Sequence, residues 1–171
     1  MNENKETIPT LDFVAALKLS TSRVAQFDGR ARRSEYWWTM LVVWIAGFVL
    51  TPVVGFVLSV LTIPLVFRRL HDIGKSGWWW GAGAMLKAGL VMSVIYDIAA
   101  MSISTASHDF GGYGVGLVFA VITKYVVWNL LIVAYELLML FFMCKDGDPY
   151  ENEYGGSPKY VMDDGGDDSG M

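Results

Sequence analysis

The sequence contains a run of 32 residues, from Tyr36 to Phe67, without a single charged side chain. As one α-helix this run would be about 48 Å long, whereas the hydrocarbon core of a bilayer is about 30 Å thick. The whole chain is also apolar, since 54% of its residues are hydrophobic and 18% are charged. A soluble domain carries roughly 25% charged residues. The sequence therefore predicts a membrane protein that crosses the bilayer more than once.

The charge-free run admits two interpretations. Pro52 lacks a backbone N–H and favours a break near Thr51, which would divide the run into spans 36–51 and 53–67. Alternatively the run is one long helix, on which small residues spaced by four form a continuous packing stripe: Gly47, Thr51, Gly55 and Ser59. Cations flank both ends of the run: Arg30, Arg32 and Arg33 before it, and Arg68, Arg69 and Lys75 after it. Because cations concentrate in cytoplasmic loops, their placement favours the hairpin, which crosses twice.

Two further apolar segments, 78–101 and 117–143, complete the predicted topology. The 13 lysines and arginines are distributed unevenly: six in residues 1–35, three in 68–75, two in 144–171 and two within the spans. The predicted outside loop, 102–116, has none. By the positive-inside rule, this asymmetry predicts four transmembrane helices with both termini in the cytoplasm. The expected fold class is an all-α, polytopic membrane protein.

The two ends of the chain differ from the membrane domain between them, which we place at residues 10–160. Residues 1–9 are polar, and residues 161–171 carry four aspartates among glycines, a composition typical of a disordered tail. The apolar-rich stretch from Thr10 to Ser20 is too short to span a bilayer. It predicts a short helix that lies in the membrane interface, with an ordinary helix docked on protein as the alternative.

Four charged residues lie inside the predicted spans: Lys87, Asp97, Lys124 and Glu136. From the rise of a helix, Lys87 and Glu136 lie at similar depths, about 13 Å and 10 Å from the cytoplasmic surface. Asp97 and Lys124 lie nearer the other surface, so each acid has a basic partner on the neighbouring helix. The favoured interpretation is two structural ion pairs or lysines that extend to the headgroups. The alternative is an ion or proton path lined by these residues.

No motif in the sequence indicates catalysis. IGKSGW lacks the glycine that a phosphate-binding loop needs five positions before its Gly-Lys. The histidines occur as His71-Asp72 and His108-Asp109, predicted on opposite sides of the membrane, so they cannot share a metal ion. Ser76 has no nucleophile-elbow context. We therefore expect neither an enzyme, a metal site nor a cofactor.

Three polar segments adjoin predicted helix ends on the cytoplasmic side: 27–38, 67–80 and 147–158. They carry a cluster of charged groups: Arg30, Arg33, Arg68, Arg69, His71 and Asp72. One interpretation is anchoring by cations plus salt bridges that tie the helix ends together. The other is a site for phospholipid headgroups, because a guanidinium binds phosphate through two parallel hydrogen bonds. Nucleic-acid binding is not expected, since the basic patch is small and lies beside acidic segments.

The same three segments resemble the bacterial domain-of-unknown-function 805 family of small inner-membrane proteins. The first two match F-x-G-R-x-x-R-x-x-Y-W and R-R-L-H-D-x-G-x-S-G-W-W, and the third matches N-x-Y-G-x-x-P. Besides the cluster named above, the resemblance is carried by Phe27, Gly29, Tyr36, Trp37, Gly74, Ser76, Gly77, Trp78, Trp79, Asn152, Tyr154, Gly155 and Pro158. The resemblance implies an inner-membrane location with the motifs on the cytoplasmic face. It implies no reaction, because the family is uncharacterised.

The expected function is that of a non-enzymatic bacterial inner-membrane protein whose Arg/His/Asp cluster organises the helix ends. Binding of phospholipid headgroups or of a partner protein by this cluster is the accompanying hypothesis. The alternative is a small oligomeric channel or transporter that uses the Lys87–Glu136 and Asp97–Lys124 pairs. The expected partners are membrane lipids, together with a second copy of the chain or another membrane protein.

Overall fold

A computed structural model of the protein describes residues 5–106 and 115–162, and most of this length is helical. The described part contains six helices: α1 (Phe13–Ser22), α2 (Arg33–Val49), α3 (Pro52–Leu61), α4 (Ile63–Asp72), α5 (Trp78–Ala106) and α6 (Val115–Cys144). Two strands, β1 (Lys5–Thr7) and β2 (Tyr160–Met162), form an antiparallel ribbon in which Thr7 pairs with Tyr160. The predicted helical class is confirmed for the described residues, apart from this ribbon.

The chain forms two compact units. The first comprises residues 1–79 together with 142–171, and the second comprises residues 80–141. The first unit contains the ribbon, helices α1 to α4 and a small buried core of Ala31, Met40 and Leu65. The second unit contains α5 from Trp80 onward and α6 up to Phe141.

Helix α1 packs against α2 through one face, and its predicted place in the membrane interface stays a prediction. It begins after Asp12, whose carboxylate accepts a hydrogen bond from the Ala15 amide at 2.7 Å and so satisfies one of the free donors of the first turn. The Phe13 ring lies 5.5 Å from the Trp38 ring of α2 in an edge-to-face arrangement. Ala16 and Ser20 are buried. The helix therefore presents one face to its neighbours.

The charge-free run is divided at Leu50 and Thr51 and does not form one long helix. Thr51 caps α3 by accepting a hydrogen bond from the Val54 amide at 3.2 Å, and Pro52 occupies the first turn, where no N–H is needed. A Cβ at Gly55 would lie 2.6 Å from the Cα of Gly47. The small residues thus allow α2 and α3 to approach backbone to backbone. They do not form a stripe along one helix.

A second break in the run, at Thr62, was not predicted. Helix α4 is inclined by 46° to α3, and Thr62 ends one helix and precedes the other. Pro64 lies in the first turn of α4, where its missing N–H cannot continue the hydrogen bonds of α3. The predicted span 53–67 is therefore a bent pair of helices.

Length and composition allow two described helices to cross a membrane: α5 over Trp78–Ser102 and α6 over Phe119–Cys144. The bent pair of α3 and α4 supplies a third candidate if it is counted as one span. Helix α2 has 17 residues, fewer than the roughly 20 that a straight crossing needs. The described residues thus contain two or three candidate spans, and four crossings stay a prediction.

The predicted loop and tail lie largely outside the described residues. Helix α5 extends to Ala106 and α6 begins at Val115, so both helices enter the predicted loop 102–116. Residues 107–114 and 163–171 are not among those described. The first two residues of the predicted tail, Val161 and Met162, pair with β1. The polar N-terminal residues 5–7 are the other strand of this ribbon.

Candidate functional site

Arg30 lies at the centre of the first unit, and every nitrogen of its guanidinium is hydrogen-bonded. Its Nε donates to Asp72 Oδ1 at 3.0 Å. Its Nη1 donates to the carbonyls of Tyr150 at 2.8 Å and Gly155 at 3.1 Å. Its Nη2 donates to the carbonyls of Asp72 at 3.2 Å and of Asp148. Arg30 therefore joins the loop before α2 to the end of α4 and to residues 145–158, which we call the C-terminal segment.

Arg69 makes the second set of bonds to the same carboxylate. Its Nη1 lies 2.6 Å from Asp72 Oδ2, while its Nη2 donates to the carbonyls of Met143 at 3.1 Å and of Lys145. Asp72 is thus held by two buried arginines, one on each oxygen. A Cβ at Gly147 would collide with the Asp72 carboxylate, so glycine is required for this close approach of the C-terminal segment.

His71 connects the same three parts of the chain through its ring and its backbone. The imidazole stacks on the Tyr154 ring, with 3.8 Å between the centroids and 2° between the planes. Its Nδ1 lies 3.2 Å from the carbonyl oxygen of Gly29. The amide of Asn152 donates to the His71 carbonyl at 3.0 Å. We call Arg30, Arg69, His71 and Asp72 the fastening cluster, because their contacts hold the C-terminal segment to the helix ends.

Arg68 faces away from the fastening cluster. Its guanidinium is 1% exposed, and its Nη1 lies 3.1 Å from Glu35 Oε1. This contact is an ion pair between two buried charges, and the other two guanidinium nitrogens, Nε and Nη2, make no hydrogen bond with the described residues. Arg68 lines an apolar cavity of about 150 Å³ between α1, α2, α3 and α4, which we call the Arg68 cavity.

Arg32 and Arg33 lie where α2 begins, beside a larger cavity of about 430 Å³ that we call the Arg32 cavity. Arg32 donates through Nε to the carbonyl of Pro158 and through Nη1 to that of Pro9 at 2.7 Å. Its Nη2 is buried and makes no hydrogen bond with the described residues. Arg33 donates to the Cys144 carbonyl at 3.2 Å. Other residues that line the cavity are Ser34, Trp37, Trp38, Asp146 and Lys159.

The electrostatics of this second cavity favour an anion. The first two residues of α2, Arg33 and Ser34, line the cavity, so the positive end of the helix dipole lies beside it, with Glu35 in the same turn. Burial lowers the pKa of Arg32, while the nearby carboxylates raise it. The Lys159 ammonium donates to Asp146 at 2.7 Å, which holds the pKa of Asp146 below its usual value and raises that of Lys159.

The residues that carry the family resemblance shape the turns around the cluster. Gly29, Gly74 and Gly155 have φ of +86°, +67° and +114°, a region that side-chain-bearing residues rarely adopt. Three aromatic pairs are in edge-to-face contact, with these distances between ring centroids: Phe27–Phe67 (5.2 Å), Tyr36–Trp37 (5.2 Å) and Trp79–Phe142 (5.4 Å). The Trp78 amide donates a hydrogen bond to Ser76 Oγ at 3.3 Å, and Gly77 lies against the Phe67 ring. These residues position the site and do not themselves project reactive groups into it.

In the second unit, α5 and α6 carry the two ion pairs expected from their depth. The Lys87 ammonium lies 2.6 Å from Glu136 Oε1, and both side chains are about half exposed. Lys124 pairs with Asp97, which also accepts a hydrogen bond from the Tyr125 hydroxyl. Close glycine contacts lie alongside these pairs, with Gly83 against Tyr135 and Gly89 against Trp128.

The structure brings the three polar segments together, but it divides the predicted cluster. Arg30, Arg69, His71 and Asp72 meet in the fastening cluster, Arg68 faces its own cavity and Arg33 lies half exposed beside the other. The sequence interpretation omitted Arg32 from the site, although Arg32 lies between two residues of the first motif. Among the described residues no group of three His, Cys, Asp or Glu side chains could hold a metal ion. The His108-Asp109 pair lies outside the described residues.

Known proteins similar to this chain are membrane proteins of undetermined function. A family described as "Protein of unknown function (DUF805)" matches residues 24–55 and 46–156. The Inner membrane protein YhaH of Escherichia coli strain K12 is 26% identical over 151 residues, which cover 78% of this chain and 87% of that protein. YhaH of Escherichia coli O157:H7 has the same identity and coverage. No solved structure matches the chain.

Proposed function

The chain belongs to the DUF805 family of inner-membrane proteins, and we propose that it is a non-enzymatic protein that binds phospholipid headgroups in the Arg32 cavity. In this proposal the fastening cluster organises the helix ends and so builds the cavity wall. Both termini and all three motifs lie in the cytoplasm, consistent with the distribution of lysine and arginine.

The fastening cluster supports a structural role for the residues first considered as headgroup ligands. The side chains of Arg30 and Arg69 are 1% and 0% exposed. Their guanidinium donors are directed to the Asp72 carboxylate and to backbone carbonyls of the described chain. Because a guanidinium has no further donors once its five N–H groups are used, these two arginines have little capacity left for a phosphate.

The observation that carries the proposal is the buried Nη2 of Arg32, which makes no hydrogen bond with the described residues and lies beside a cavity where α2 begins. A buried donor without an acceptor is destabilising by about 1–3 kcal/mol, and a phosphate oxygen would remove that cost. Arg33 and the uncapped first turn of α2 add positive potential to the same wall. Trp37 and Trp38 line the cavity, and tryptophan is the residue type that concentrates at the headgroup level of membranes.

Net charge in the cavity also favours an anion. Arg32, Arg33 and Lys159 contribute three positive charges against the carboxylate of Asp146. Asp72 also lines the cavity, but it is compensated by the two arginines of the fastening cluster. A headgroup with one or two negative charges would neutralise the excess.

Native mass spectrometry of the purified protein tests this proposal with dioleoyl phosphatidylglycerol as the anionic probe and the phosphatidylcholine analogue as the zwitterionic one. We expect the wild type to retain one phosphatidylglycerol molecule. Arg33→Gln should lower the affinity for this lipid about tenfold, because one charge-assisted hydrogen bond is lost. Lys18→Gln removes the same charge from the exposed face of α1 and is the matched control. Equal retention of both lipids, or equal losses in the two variants, would reject the headgroup site.

A second candidate function is a small channel or transporter built from α5 and α6. The observation that favours it is the exposure of Lys87 and Glu136, at 57% and 49% of their side-chain surface, because charged groups inside a membrane normally face protein or a water-filled path. Proton flux into liposomes that contain a pH-sensitive dye tests it. Flux that is lost in Glu136→Gln and kept in Glu151→Gln would support transport, whereas flux equal to that of protein-free liposomes would exclude it.

A further inference from the structure

We propose that the Arg68 cavity is a second binding site, and that it takes the carboxylate of a single-chain fatty acid. The site is formed by residues other than those of the Arg32 cavity. It therefore does not depend on the headgroup proposal.

The guanidinium of Arg68 is buried and only partly paired. Its side chain is 1% exposed, and its Nη1 forms an ion pair with Glu35 Oε1 at 3.1 Å. Its Nε and Nη2 make no hydrogen bond with the described residues, although a buried cation normally has its donors satisfied. Arg68 lines the cavity, so an acceptor bound there would lie beside these two nitrogens. The hydroxyls of Thr21, Thr39 and Thr62 already donate to backbone carbonyls.

The Arg68 cavity carries a net positive charge. Arg23 and Arg68 both line the cavity, and the carboxylate within ion-pair distance of Arg68 is that of Glu35. The cavity therefore has an excess of one positive charge. A fatty acid at neutral pH carries one negative charge, and its two carboxylate oxygens match the parallel N–H groups of a guanidinium.

The Arg68 cavity is small and its walls are mostly aliphatic. Apart from the arginines and hydroxyls, the lining is aliphatic and includes Val42, Val43, Leu58 and Leu65. The volume is about 150 Å³, and an engineered apolar cavity of about that size holds one benzene. The enclosed part thus has room for a carboxylate and a few methylene groups, but not for a glycerol phosphodiester.

The opening of the cavity indicates where the rest of the fatty acid's acyl chain would lie. Val24 and Leu61 line the cavity and are 43% and 48% exposed, so they lie at its mouth. A longer acyl chain would leave between α1 and α3, over the exposed apolar face of α3. This face includes Val57 and Val60. The ligand would thus have its charge buried in the protein and its tail on an apolar surface.

Isothermal titration of the full-length protein in a neutral detergent tests the proposal, with sodium decanoate as the probe and decan-1-ol as its uncharged analogue. We expect one decanoate per chain and decanol binding at least about tenfold weaker, since one charge-assisted contact is lost. Arg68→Gln should lower decanoate affinity by the same factor or more.

Because Arg68→Gln removes a buried group, a second pair of variants tests the site from its mouth. Leu61→Trp places a large ring at the opening and should lower decanoate affinity at least about tenfold. Leu137→Trp makes the same change at an exposed position of α6 that does not line the cavity and should leave affinity unchanged. Arg33→Gln should also leave it unchanged, which separates this site from the headgroup site. Equal binding of decanol and decanoate, or wild-type affinity in Leu61→Trp, would overturn the proposal, as would the absence of saturable binding.

Discussion

Replacement of Arg30 by glutamine should release the C-terminal segment from the helix ends. Arg30 makes five hydrogen bonds, and three of them go to carbonyls of that segment. The variant also leaves Asp72, which is 4% exposed, with one cation in place of two. Removal of one partner of a buried ion pair costs about 3–5 kcal/mol. At about 1.4 kcal/mol per factor of ten, local opening of the segment should become roughly 10²–10⁴ times more frequent.

Hydrogen exchange followed by mass spectrometry measures this opening directly. The amide of Asp148 is the reporter, because it donates to the Asp72 carbonyl at 2.7 Å and is freed when the segment leaves. Arg33→Gln is the matched control, since Arg33 is 47% exposed and its ion pair with Asp146 is 3.4 Å long. An exposed pair contributes about 1 kcal/mol at most, so its loss should accelerate exchange by about fivefold or less. Wild-type exchange at Asp148 in a folded Arg30→Gln protein, or equal effects of both variants, would refute the account of the fastening cluster.

Three further predictions concern the same unit. Gly147→Ala should accelerate exchange at the Asp148 amide, because the added Cβ collides with the Asp72 carboxylate. Gly156→Ala should not, because a Cβ there meets nothing within 4 Å among the described residues. Equal exchange rates in the two variants would contradict the close approach of Gly147 to Asp72. Acidification from about pH 6 to about pH 3 should weaken protection of the Ile8 amide, which donates to the Lys159 carbonyl. The folded-state pKa of Asp146 is lowered. Its contribution to stability is therefore present above the ordinary carboxyl pKa of about 3.9 and is lost as the pH falls below that value. Asp146→Asn should remove this part of the pH dependence, and an unchanged pH profile in that variant would refute the prediction. Gly55→Leu should lower the thermal midpoint of the detergent-solubilised protein, because Gly55 lies against the backbone of Gly47. Val53→Leu, at an exposed position of α3, should leave the midpoint unchanged. Equal midpoints in the two variants would exclude close packing of α2 and α3.

The elements that could be predicted from the sequence are those fixed by charge and helix geometry. A charge-free run longer than the bilayer, with cations at both ends, indicated a turn near Thr51, and the structure breaks the run there. The depth of Lys87 and Glu136 along antiparallel helices predicted their pairing, because the rise per residue is constant. The helical class follows in the same way from the long apolar segments.

Other features depend on contacts that a single sequence does not display. Arg30 and Arg69 bind backbone carbonyls, which every residue possesses, so no residue pattern could identify their partners. The bend at Thr62 could not be predicted, because Pro64 is compatible both with the first turn of a new helix and with a kink in one continuing span. The pairing of β1 with β2 joins residues more than 150 positions apart, and three-residue strands have too little alternation to be recognised.

Arg32 illustrates why the site itself was only partly predicted. Its position between Arg30 and Arg33 suggested one more cation of a cytoplasmic loop, and nothing in the sequence distinguished it from its neighbours. In the structure two of its nitrogens donate to the carbonyls of Pro9 and Pro158, and the third makes no hydrogen bond with the part of the chain that the structure describes. Which arginine is satisfied by protein and which is available to a ligand is a property of the folded chain.

The proposed contact between Arg32 and a lipid phosphate can be measured as a distance between nuclei. Solid-state NMR of the protein with ¹⁵N-labelled arginine, in phosphatidylglycerol bilayers, reports which guanidinium nitrogens lie close to ³¹P. We expect a strongly dephased guanidinium signal that disappears in Arg32→Gln and persists in Arg23→Gln. A spectrum in which Arg32→Gln loses no dephased signal would show that Arg32 does not contact the phosphate.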